Sequence, residues 1–124
     1  MEQSALSAQQ PTAARQAVNV TAVLAAQDSG ALEDAAIFSP DVGAIHLHLR
    51  ADGLTSTRPV TFVWTHGEER DELAGVLAPS RALTRVSSRS ITPEELGAWK
   101  VEVFESASSN GERKLLFTRE FQVL

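Results

Sequence analysis

The chain contains no cysteine. That excludes a disulfide framework, a zinc–thiolate site and a thiol nucleophile. It fits an envelope or secreted location and a cytosolic one equally. No apolar run approaches the roughly 18–20 residues that span a bilayer. The N-terminus has no basic region followed by an apolar core, so it does not read as a signal peptide. Cations are outnumbered: 11 Lys and Arg stand against 16 Asp and Glu, for a net charge of −5 and a pI near 5.1. Phosphate binding needs clustered Lys and Arg, so no nucleic-acid partner is expected. Catalytic motifs are missing too. No serine sits in a Gly-x-Ser-x-Gly elbow, and there is neither a phosphate-binding glycine loop nor a His-Glu-x-x-His helix. Acids fall in segments that read as loops and exposed faces, away from the burial that tunes a general acid or base. The expectation is a non-enzyme with no cofactor and no metal.

What is present is one domain's worth of chain, 124 residues, enough for a core without disulfides or metals. Residues 1–16, rich in Ala, Gln and Ser with one Pro, read as a flexible arm or tether, with a frayed helix as the alternative. Met1 reads as a start left after removal of a leader or anchor. Residues 17–124 read as the domain.

The C-terminal third is the clearest part. Trp99, Val101 and Val103 alternate with Lys100 and Glu102, the period of a strand with one apolar face. Asn110-Gly111 supplies a turn, and Phe117–Leu124 returns as the last strand. Earlier, Val18–Leu24 alternates as a first strand. Residues 28–43 form a long connection in which Ile37-Phe38 can anchor on the core. Ala44–Arg50 places Ile45, Leu47 and Leu49 inward and His46, His48 and Arg50 outward. Val60, Phe62 and Trp64 face inward on the next strand. His66–Glu72 reads as an acidic hairpin tip, Leu73–Leu77 as a short returning strand, and Arg81–Ser88 as another with Ala82, Thr84 and Val86 on one face. Thr92-Pro93-Glu94-Glu95 carries helix-start signals, a cap, a proline at the first helical position and a Glu three after the cap. A single helical turn is therefore expected at 93–96, ended by Gly97. About seven short strands at this spacing predict an all-β, immunoglobulin-like antiparallel sandwich.

Four groups of residues look like motifs: Trp64 with His66-Gly67, Arg85 with Ser87-Ser88, Gly97-Ala98-Trp99-Lys100-Val101, and Phe121-Gln122-Val123. In these, residues about 60–124 resemble a bacterial family catalogued as a domain of unknown function, number twenty-nine fourteen. Leu83 departs from the family's aromatic, and Ser106–Arg113 makes a longer terminal hairpin. A looser relative among bacterial immunoglobulin-like domains is the alternative. The resemblance implies a β-sandwich, often tethered to a bacterial membrane, and no activity.

Several side chains invite a site. Arg81, Arg85 and Arg89 recur every fourth residue, so on a regular strand they share one face and form a cationic stripe for a phosphate, a carboxylate or an acidic partner. The plainer reading pairs them with Glu94, Glu95 or the acids of 68–72. His46 and His48 lie about 7 Å apart on one strand face and with His66 could hold Zn²⁺ or Cu²⁺; a solvated face is the plainer account. Glu68, Glu69, Asp71 and Glu72 could bind a cation but fit solvation and edge protection, and they lack a calcium-loop pattern. Trp64 and Trp99 fit the core better than a ligand pocket. Asn19-Val20-Thr21 matches a glycosylation acceptor by chance. The functional expectation is a protein-interaction or structural module of a bacterial envelope protein, periplasmic or membrane-tethered. Its partner would be another protein, with any tether outside this chain. The alternative is a small-ligand or metal-binding sandwich using His46/His48 or the Arg81/Arg85/Arg89 face.

Overall fold

The computed structural model describes residues 18–105 and 113–124. The arm at 1–16 and the turn at Asn110-Gly111 lie outside the described residues. Eight strands are present there: β1 (Asn19–Ala25), β2 (Ile37–Phe38), β3 (Ala44–Asp52), β4 (Arg58–His66), β5 (Glu69–Leu77), β6 (Thr84–Ser90), β7 (Gly97–Glu105) and β8 (Lys114–Val123). They form two sheets, one in the order β1-β3-β6 and one in the order β2-β8-β7-β4-β5. Every pairing is antiparallel except the short parallel contact of β2 with β8.

The alternation read from the sequence builds the interior. Ile45, Leu47 and Leu49 of β3 meet Val60, Phe62 and Trp64 of β4 and Trp99, Val101 and Val103 of β7 in one buried cluster. Phe121 is its hub. Trp64 meets it edge-on at 6.2 Å between centroids, and Trp99 stacks on it at 5.9 Å. Each tryptophan finds a partner for its N–H. Trp64 Nε1 donates to Ser87 Oγ at 3.0 Å, and Trp99 Nε1 donates to the Glu95 carbonyl at 3.0 Å. Such bonds let an indole be buried without an orphaned donor.

Four expectations are corrected. Among the described residues there is no helix. Residues 92–95 form a turn in which Glu95 N–H donates to the Thr92 carbonyl at 3.0 Å and Thr92 N–H donates to Glu95 Oε1 at 2.9 Å. The capping bonds form, but β7 begins at Gly97 with φ +109°. That leaves no room to repay helix nucleation. The hairpin tip shrinks to Gly67-Glu68, because β4 and β5 stay paired out to His66 and Glu69. β6 starts at Thr84 and reaches Ser90, later than expected at both ends. His48 is buried, 3% exposed, not on an open face. The chain after β1 folds back over it, and the Gln27 carbonyl accepts from His48 Nε2 at 2.8 Å.

Candidate functional site

A bulge in β6 decides the fate of the arginine stripe. Leu47 pairs with Ser87, but His48 pairs with Arg85, so Val86 is the extra residue. One extra residue flips the faces on either side of it. Arg85 therefore shares the outer face with His48, while Arg89 lies opposite inward-facing Ile45. Arg81 precedes the strand altogether. The three arginines do not form a stripe. Two of them meet acids: Arg85 lies 3.0 Å from Asp28, and Arg89 contacts Asp71 at 2.7 Å and Glu95 at 3.2 Å.

The histidines divide as well. His46 and His48 remain neighbours on the outer face of the three-stranded sheet, their ring centroids 6.3 Å apart. Both rings are engaged: His46 Nδ1 is hydrogen-bonded to Ser88 Oγ at 2.6 Å, and His48 to Gln27. Burial lowers the pKa of His46, with Arg85 and His48 adding to the effect and Asp28 opposing it. The His46–Ser88 pair has the spacing of a base and a nucleophile. It lies on a strand face, however, and lines neither the cleft of about 680 Å³ beside Trp99 nor the one of about 400 Å³ between β5 and β6.

His66 belongs elsewhere. It sits opposite Trp99 on the neighbouring strand, and the rings stack at 4.5 Å and 10°. Its Nε2 is 2.7 Å from the Leu96 carbonyl. A carbonyl can only accept, so Nε2 carries the hydrogen and Nδ1 is left with its lone pair in the neutral ring. Nδ1 faces Glu69 at 3.8 Å. Glu95 completes the group, with the donor atoms of His66, Glu69 and Glu95 all within 4.8 Å of one another. The Thr92 amide bond, against the opposing effect of burial and with help from Arg89, holds Glu95 below the usual carboxylate range. Arg89 lies over Trp99 at 5.2 Å and is largely covered; its Nε is close to Asp71 in distance but not aligned for a hydrogen bond.

A third feature is the open wall of the sandwich. β5 edges the larger sheet and β6 the smaller one. Between them lies a cleft of about 400 Å³ lined by Leu49, Ala51, Gly75, Leu77 and Val86 among others. Among the described residues no strand pairs with the outer edge of β5 along its nine residues, and Leu73 is 44% and Val76 56% exposed. Pro59 lies directly opposite Val76. Proline has no N–H to give, so that pair is not a hydrogen-bonded one. By alternation, Arg70, Glu72, Ala74 and Val76 turn their N–H and C=O groups away from β4, toward the open edge.

The aromatic pair and the acidic hairpin are legible in the sequence, and an open edge strand is among the binding surfaces it suggests; the assignment of that edge to β5 and the His66 group are not. The edge had a signal in the uncharged run Leu73–Leu77. The His66 group had none, because Glu95 comes from a distant turn.

The domain is thus an all-β protein of two packed sheets with an open side wall. No protein-family model, no curated protein and no solved structure matches this chain.

Proposed function

We propose that this domain is a non-enzymatic, immunoglobulin-like interaction module that binds an extended segment of a partner protein along β5. The observation that carries the proposal is this edge, unpaired among the described residues. It offers alternate N–H and C=O groups next to an apolar cleft, the arrangement by which an added strand is recognised through main-chain bonds and side-chain pockets. Its first half, Glu69–Glu72, carries three acids and one arginine; its second half, Leu73–Leu77, is uncharged. A fitting segment has an apolar side chain for the cleft and a basic residue for the acids. The strand order, with β2 parallel to the last strand and a buried Trp64 in the five-stranded sheet, supports the immunoglobulin-like reading. The motif resemblance described above is the support for a bacterial envelope setting.

A second reading has its own observation. Leu73-Ala74-Gly75-Val76-Leu77 reads as Leu-Val-Gly-Ala-Leu in reverse, so two copies of β5 can pair antiparallel about Gly75 in an isologous dimer. Analytical ultracentrifugation separates the two readings, a monomer favouring a foreign segment.

The test is a selection of random linear peptides against the wild type and against Val76→Pro. That proline removes only an outward N–H, so the β4–β5 ladder survives. Peptides with an apolar residue near a basic one that bind the wild type and lose Val76→Pro are expected. Equal binding to both proteins, or no selected peptide with a monomeric protein, would overturn the proposal.

A further inference from the structure

The rim where β4 turns into β5 gathers three acids and a histidine. Glu69, Asp71 and Glu95 converge there; Arg89 meets Asp71 and Glu95, and Glu69 faces His66. The geometry around His66 resembles a ligand sphere more than an ion pair. The Leu96 carbonyl takes the Nε2 hydrogen, and Trp99 holds the ring flat from one side. A metal-ligating histidine is oriented in this way, by a hydrogen bond from its other nitrogen. Glu95 is likewise held from behind, by the Thr92 amide on Oε1 and Arg89 on Oε2.

We propose that His66 Nδ1 and the carboxylates of Glu69 and Glu95 bind one divalent transition-metal ion, Zn²⁺ fitting best. One imidazole nitrogen with two carboxylate oxygens suits zinc, and three protein ligands leave a fourth position for water or a partner's side chain. The donor atoms stand within 4.8 Å, wider than ligand atoms at about 2.0–2.2 Å from a common zinc ion would stand. Glu69, 71% exposed at its side chain, closes the gap by a rotamer change. His66 and Glu95 are already held in place. The ion would tie the β4–β5 hairpin to the turn before β7. It does not involve His46 or His48, which lie on the other sheet with His46 Nδ1 bonded to Ser88 and His48 Nε2 to Gln27. The site shares the first half of β5 with the proposed strand-binding edge, Glu69 being one of the acids there, while the apolar half Leu73–Leu77 lies beyond it.

The experiment titrates Co²⁺ as a coloured substitute for zinc, following visible absorption and the fluorescence of Trp99, on which His66 stacks. The expected result is one saturable equivalent, quenched tryptophan emission and displacement by Zn²⁺. His66→Gln keeps a side-chain N–H for Leu96 but lacks the ring's metal-binding nitrogen, and it should weaken binding by at least about 10–100-fold. Glu69→Gln, at an exposed position, should weaken it too, and His46→Gln should not. Circular dichroism checks that each variant is folded. Absence of saturable binding to the wild type, equal affinity in both His66→Gln and Glu69→Gln, or loss in His46→Gln would each overturn the proposal.

Discussion

Gly75→Ala should destabilise this protein, although the position lies on an exposed edge strand. Glycine in a strand ordinarily costs roughly 0.5–1 kcal/mol relative to alanine, so the naive expectation is a gain. The structure reverses the sign. A Cβ on Gly75 would stand 2.5 Å from Phe62 Cε2 and 3.2 Å from Cδ2, where carbon atoms in contact prefer about 3.5–4.0 Å. Phe62 is 1% exposed, and its ring is rigid beyond two torsions. It must move about 1 Å into a core that is already filled. Overpacking of that kind costs typically about 1–3 kcal/mol. Set against the backbone gain, the net loss should be about 0.5–2 kcal/mol, read from urea unfolding with an unchanged m-value. Phe62→Leu relieves the contact, so the double variant should lose less than the two single losses added together, with a coupling of about 1 kcal/mol. Gly75→Ala as stable as the wild type, or more so, would refute the packing argument.

Trp99→Ala should cost about 3–5 kcal/mol, because the indole is buried against Phe121 and His66 and bonded to the Glu95 carbonyl; unchanged thermal unfolding would contradict its placement. Ser87→Ala leaves the buried Trp64 N–H without its acceptor and should cost about 1–3 kcal/mol, again by urea unfolding. Asp34 accepts from the Leu24 amide at 2.8 Å and pairs with Arg119 at 2.9 Å. Burial acts to raise its pKa, but the amide and Arg119 outweigh it and hold the carboxyl below its ordinary value. A lowered folded pKa means that the stabilisation is full above the unfolded value and fades as pH falls through the folded one. Asp34→Asn should therefore lose about 1 kcal/mol at neutral pH, with the difference from wild type shrinking below about pH 4; a difference constant through acid would refute it. Finally, Ser88 should not react with a fluorophosphonate probe, and labelling at that residue by mass spectrometry would reopen a hydrolytic reading of the His46–Ser88 pair.

Much of the sandwich was legible in local pattern. Val60-Phe62-Trp64 and Trp99-Val101-Val103 alternate cleanly because each strand buries one face and wets the other. Residues 69–72 were misread as a loop because charge on a strand resembles charge on a turn. A solvated edge tolerates Glu-Arg-Asp-Glu as readily as a loop does. The helical turn at 93–96 failed for another reason. The capping signals describe hydrogen bonds to backbone amides, and a four-residue turn satisfies the same bonds.

By itself, the sequence determined the class: β periodicity, a core rich in aromatic and branched residues, and no thiol chemistry. Those properties depend on neighbours along the chain and on composition. Tertiary structure alone decided the faces beyond the Val86 bulge, the burial of His48 under Gln27, and the meeting of His66 with Glu69 and Glu95. Each depends on one extra residue in a strand or on contacts between distant segments. A single-residue change of register reverses every side chain that follows it, and no local pattern records which side the chain took.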